Sequence, residues 1–216
     1  MTPVVLFDLD NTLIDRDGAF RHWAGGFLAD RDLDPTELEW VRREDDDGKA
    51  SRHVFFAALR ARFGLSESVE DLVGAYQEAI PTLHHPERHV LAGLRALRAA
   101  GWKTAVVTNG PATQESKIRS AGLDTVLDAW CISGLVGVAK PERAIFEEAA
   151  RRAGATLQGW MVGDTAEIDI LGGIGAGLRT IWMARDRPWT AREYEPELMA
   201  GDVAEAARLI LESDSA

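Results

Sequence analysis

The sequence predicts an α/β fold, a parallel sheet covered by helices on both faces and interrupted by an inserted helical unit. Short apolar runs alternate with helix-period stretches through most of the chain, as expected for strands joined by crossover helices. Between about residues 14 and 85 the alternation stops and only helical patterns remain. Every motif that could carry chemistry follows a candidate strand, and sheets of this kind place their sites beyond the carboxyl ends of the strands.

The first candidate strand, 4–9, contains the continuous apolar run Val4-Val5-Leu6-Phe7 and ends in Asp8-Leu9-Asp10-Asn11-Thr12. Further strands are predicted at 104–108, 129–132, 160–162 and 180–183. Helices are predicted between them at 88–100, 112–121, 142–153 and 167–176. A last helix at 202–212 has Asp202 as N-cap and Glu205 completing a capping-box-like pair. In the insert, helices are predicted at 16–30, 35–44, 50–63 and 67–80. Asp34-Pro35 supplies an N-cap and a first-turn proline, and Gly64 and Ser66 mark a break. A connection of this length exceeds a simple crossover. Hinges are expected near 15–18 and 82–86, where a few residues could absorb motion.

A chain of 216 residues can hold a core and a smaller inserted unit. Its apolar content of 46% and charged content of 27% are ordinary for a globular protein. No apolar run reaches about eighteen residues, so no membrane span is expected. The N-terminus lacks a basic region, an apolar core and a cleavage site, so no secretory signal is expected and the cytoplasm is the default compartment. The single cysteine, Cys131, cannot form an internal disulfide and is expected to be buried. A net charge of −11 argues against binding a nucleic acid polymer, but a small anionic substrate could still meet a locally positive site. Only four of the 24 basic residues are lysines: Lys49, Lys103, Lys117 and Lys140. A lysine at a chemically meaningful position is therefore informative.

Asp8 and Asp10, two residues apart, would leave a strand on the same face. Converging acids there suit a hard divalent cation such as Mg2+, with one acid attacking and the other moving protons. The alternative is a turn in which Asp10 or Asn11 caps the next helix. Thr108-Asn109-Gly110 offers a hydroxyl and backbone N–H groups to an anion at a helix start, or else is a plain strand-to-helix turn. Lys140, just before Pro141, could reach into a site as a point charge, or lie on the surface. Gly163-Asp164 with Asp169 brings two more carboxylates, as a metal ligand and its outer support, or as helix caps. The glycines at 172–177 miss the dinucleotide spacing and read as close helix packing with a C-cap at Gly177. His84, His85 and His89 read as a partly exposed hinge segment rather than a metal site.

Taken in order, D-x-D-x-T, T-N-G, K-P and G-D-x4-D resemble the four-motif signature of the haloacid dehalogenase-like hydrolase superfamily. The resemblance covers essentially the whole chain and extends to Gly137, Ile145-Phe146 and the glycines after Asp169. It implies a Rossmann-like, three-layer core formed by 1–14 and 87–216, with a helical cap at 15–86. It implies that Asp8 is the nucleophile and a Mg2+ ligand, and that Asp10 is the general acid/base and offers its main-chain carbonyl to the metal. Thr108, the Asn109 amide and Lys140 would hold phosphoryl oxygens, Asp164 would complete the metal site, Asp169 would support it, and Thr12 would stabilise the first loop. An aspartate at position 10 distinguishes phosphate chemistry from carbon–halogen cleavage within the family. The implied function is a Mg2+-dependent phosphomonoester hydrolase acting through an aspartyl-phosphate on a small phosphorylated metabolite, a nucleotide or sugar phosphate, as a monomer or homodimer. A phosphomutase or a catalytically silent binding protein are the alternatives. Specificity would come from cap residues such as Arg16, Arg21, His22, Trp23, Arg52 and His53. Trp23 could instead pack in the cap core, and the acidic run 45–47 is expected to be a solvated turn.

Overall fold

The computed structural model describes residues 2–85 and 87–213. Pro86, at the end of the expected second hinge, lies outside them. The chain divides between residues 14 and 15 and between residues 84 and 85 into two compact units.

The larger unit is built on six parallel strands: β1 (Val4–Phe7), β2 (Lys103–Thr108), β3 (Ala129–Ile132), β4 (Gly159–Gly163), β5 (Arg179–Met183) and β6 (Leu198–Ala200). Their order is β3-β2-β1-β4-β5-β6. In β1, Val5 and Phe7 enter one apolar cluster while Val4 and Leu6 enter another, because successive strand side chains point to opposite faces. The first cluster packs beneath α5 (Arg88–Ala99), α6 (Gln114–Ser120) and α10 (Val203–Ser213) through Leu94, Leu97, Ile118 and Ile210. The second packs beneath α8 (Arg143–Arg152) and α9 (Leu171–Ala176) through Ile145, Phe146, Ala149 and Ala176. The result is the three-layer, Rossmann-like arrangement. A four-residue helix, α7 (Ser133–Val136), follows β3. Cys131 is fully buried in the second cluster.

Several boundaries differ from expectation. The first strand ends at Phe7 rather than at residue 9. Leu9 O accepts from the N–H groups of Thr12, Leu13 and Ile14, and Asn11 adopts φ 63°, so the chain curls immediately after Asp8. Among the described residues the buried Thr12 hydroxyl has no hydrogen-bond partner. The helix expected at 167–176 starts as a π turn at Ala166–Ile170 before α9. Such turns recur at functional sites. Strand β6 is three residues long and too short to show a periodicity. The last helix caps as expected, with Glu205 N donating to Asp202 Oδ1 at 2.8 Å and Gly201 N donating to the Glu205 carboxylate at 2.8 Å.

The smaller unit consists of α1 (Arg16–Ala29), α2 (Leu38–Asp45), α3 (Arg52–Phe63) and α4 (Val69–Thr82). Asp34 accepts from Thr36 N at 2.8 Å and opens the turn before α2, and Ser68 caps α4. Trp23 packs edge-on against Tyr76, with ring centroids 4.8 Å apart, and also against Phe20, Phe27, Phe55 and Phe56. Its role in this unit is core packing. Arg21, His22 and His53 are exposed. One expectation fails here in part. Asp45 is 1% exposed rather than solvated, because Arg16 and Arg52 both pair with it. His84 is buried, unlike the exposed His85 and His89. Among the described residues, no helix is long and apolar enough to cross a membrane.

Removing Asp45 would take a buried carboxylate from both Arg16 and Arg52. Asp45→Ala is expected to cost about 3 kcal/mol or more in urea unfolding followed by tryptophan fluorescence. Asp46→Asn, on the exposed turn, is expected to change stability by less than about 0.5 kcal/mol.

Candidate active site

The strand order places β1 between β2 and β4, so the residues that follow these strands become neighbours. Asp8 lies one residue past β1, and its N–H continues the ladder to Val162 O at 2.9 Å. Thr108 ends β2, and Asp164 follows β4. Lys140 comes from the loop between α7 and α8, joined to Pro141 by a cis peptide bond. The Asn109 side chain grips its main chain on both sides: Lys140 N donates to Oδ1 at 2.9 Å and Nδ2 donates to Lys140 O at 3.0 Å.

Held in this way, the Lys140 ammonium donates to Asp8 Oδ1 at 2.6 Å and to Asp169 Oδ1 at 2.7 Å. All three side chains are buried. The other Asp169 oxygen accepts from Thr165 N at 3.0 Å. Gly163 makes this placement possible, since a Cβ there would lie 2.4 Å from the Asp169 carboxyl carbon. Asp164 accepts from Thr165 Oγ1 at 3.3 Å and pairs with Arg187 at 3.2 Å, while its main-chain oxygen accepts from Trp182 Nε1 at 3.1 Å.

Carboxylate oxygens of Asp8, Asp164 and Asp169 lie within 4.8 Å of one another. Burial pushes the Asp8 carboxyl up to about 8 against the pull of Lys140, and Asp169 and Asp164 add to the rise. Asp164 is also raised, by burial first and then by Asp169. Lys140 remains above its usual range, because Asp169 and Asp8 outweigh its own desolvation. The cluster is thus short of positive charge, and its donors are hard oxygens. Both properties fit Mg2+.

Asp10 is held elsewhere. Its carboxylate meets Lys117 Nζ at 2.7 and 3.0 Å and Gln114 Nε2 at 2.7 Å. The expectation that Asp8 and Asp10 leave a strand on a common face therefore fails. The curl after Asp8 ends the two-residue alternation and gives the two acids different partners. Gln114 also donates to Thr108 Oγ1 at 3.0 Å. Gln114, Lys117 and Arg187 were not anticipated as site residues. Only the scarcity of lysines and the i, i+3 spacing of positions 114 and 117 could have drawn attention to the first two.

A family model described as haloacid dehalogenase-like hydrolase matches residues 2–177. The pyrimidine 5'-nucleotidase YjjG of Escherichia coli (strain K12) is 41% identical over 112 residues, covering 50% of this chain and 49% of the nucleotidase. The phosphoserine phosphatase of Thermus thermophilus is 34% identical over 161 residues, covering 73% and 64% of the two chains. The matched region thus spans between half and two thirds of these relatives' length. The HAD-hydrolase YfnB from Bacillus subtilis, solved bound to magnesium, superposes with a TM-score of 0.75 at 23% identity over 97% of this chain and 98% of its own. That likeness shows a shared fold. With the family model matching most of its length, the chain belongs to the haloacid dehalogenase-like hydrolase family.

Proposed function

We propose that this protein is a Mg2+-dependent phosphomonoester hydrolase that acts on a small phosphorylated metabolite through an aspartyl-phosphate on Asp8. In this reading residues 1–14 and 87–216 form the catalytic core and residues 15–86 the cap. The observation that carries it is the buried Lys140 ammonium shared by Asp8 and Asp169 beside Asp164. A nucleotide or sugar phosphate is the favoured substrate class, and the likeness to a pyrimidine nucleotidase supports the nucleotide.

Asp8 attacks phosphorus and displaces the alcohol. Its Oδ–P bond forms as the P–O bond to the leaving group breaks. Asp10 gives its proton to the departing oxygen, then accepts one from the water that attacks phosphorus, whose new O–P bond forms as the Asp8 Oδ–P bond breaks and frees the carboxylate. Thr108, the Asn109 amide and Lys140 hold the phosphoryl oxygens, so the charge that develops there meets donors fixed in advance. Asp8, the Asp10 carbonyl and Asp164 would hold Mg2+, with Asp169 in support. The ion would offset the repulsion between a carboxylate nucleophile and a phosphate anion. Asp169 already has a donor on each oxygen, which suits a supporting place.

Asp8→Asn is expected to lower phosphate release from p-nitrophenyl phosphate by about a thousandfold or more, and full activity in this variant would contradict the mechanism. Gly163→Ala, which forces Asp169 from its place, is expected to reduce kcat more than it raises KM. In the folded protein without metal, burial pushes the Asp8 carboxyl from its ordinary 3.8 up to about 8. The stability it contributes is therefore present below the ordinary value and lost as pH rises through about 8. Mg2+ must displace the Asp8 proton. The rise in Tm produced by a fixed Mg2+ concentration should therefore be larger at about pH 8.5 than at about pH 6, and EDTA should abolish it.

A further inference from the structure

Two side chains of α6 touch Asp10 and have no place in the mechanism above. Lys117 Nζ reaches both Asp10 oxygens, at 2.7 and 3.0 Å, and Gln114 Nε2 donates to one of them at 2.7 Å. An ionised carboxylate only accepts, so the Gln114 amide must turn its NH2 group toward Asp10. The same nitrogen donates to Thr108 Oγ1 at 3.0 Å. With a donor pointing at its oxygen, the Thr108 hydroxyl acts as a donor, and its own hydrogen is held only by a long contact to Asn109 O at 3.5 Å. Gln114 is buried, and Gly110 makes room for it, since a Cβ at position 110 would lie 2.8 Å from Gln114 Cγ. The glycine of Thr108-Asn109-Gly110 thus lets α6 bring Gln114 against both residues. Residues three apart share a helix face, so Lys117 arrives beside Gln114.

We propose that Lys117 and Gln114 are positioning residues. They hold the Asp10 carboxylate against α6, apart from the Asp8–Asp164–Asp169 cluster, and Gln114 sets the Thr108 hydroxyl to donate to the phosphoryl group. A mobile carboxylate two residues from Asp8 would otherwise be a further hard-oxygen ligand for the cation. In that place it could not serve the leaving oxygen. This inference rests on the phosphomonoesterase reading and adds the residues that keep the proton-transfer group separate from the metal ligands.

The test is a leaving-group series from p-nitrophenyl phosphate, which departs with little need of a proton, to unsubstituted phenyl phosphate, which needs one. Lys117→Met is expected to lower kcat/KM for phenyl phosphate about tenfold more than for p-nitrophenyl phosphate, within the range that general-acid catalysis supplies. Lys117→Arg should recover part of that difference. Gln114→Met should steepen the same dependence and also raise KM, through Thr108. If Lys117→Met does not fold, Lys117→Gln reads the same slope. Equal losses across the series, with the wild type active on both esters, would overturn the positioning role and leave the phosphatase reading standing. A wild type inactive toward every ester with Mg2+ present would overturn both.

Discussion

One buried ammonium governs this site. Lys140 donates to Asp8 and Asp169 at the same time, both within 2.7 Å, inside a region from which water is largely excluded. Three carboxylates within 4.8 Å of one another could not all stay ionised there without positive charge. Neighbouring features serve that balance. Asn109 fixes the main chain that carries Lys140, Gly163 leaves room for Asp169, and Trp182 and Arg187 hold the main-chain oxygen of Asp164. Lys140 meets only part of the demand, since burial still holds Asp8 and Asp164 above their ordinary values. A divalent cation is the remaining contribution that the donor set suits.

The sheet delivers these groups without long-range adjustment. With β1 flanked by β2 and β4, three consecutive strand ends put Thr108, Asp8 and Asp164 side by side. The loop before α8 supplies Lys140, and the π turn after β4 supplies Asp169. The tight curl after Asp8 then separates two acids that sequence spacing alone would pair. One belongs to the buried cluster. The other faces α6 and retains 28% side-chain exposure. In the proposed mechanism attack and proton transfer are different tasks, and the curl after Asp8 gives the two acids different partners.

Much of this was legible in the sequence, for identifiable reasons. Continuous apolar runs such as Val4–Phe7 and Ala129–Ile132 mark strands buried on both faces, and the long interval without such runs marks the helical insert. Three of the four motifs were readable because each sits beside a strand end, while Lys140-Pro141 lies in the loop between α7 and α8. What sequence reading missed depends on tertiary partners. The run at 45–47 looks like solvated charge, yet Asp45 is buried between Arg52, seven residues on, and Arg16 from the preceding helix, while Asp46 and Asp47 are exposed. Within the segment read as partly exposed, which histidine is buried was not legible: it is His84, while His85 and His89 are exposed. The same limit applies to Gln114 and Lys117, ordinary helix residues until α6 is docked against the first-motif loop. Strand β6, with three residues, carries too little pattern to be recognised.

The central claim is that Asp8 carries the phosphoryl group. The most direct measurement is rapid acid quench during turnover, followed by borohydride reduction and peptide mass spectrometry. Borohydride converts an acyl phosphate, and not a free carboxylate, to an alcohol. The account predicts that the reduced side chain is found at position 8. Ongoing turnover with no reduced residue, or reduction at another acid, would contradict it.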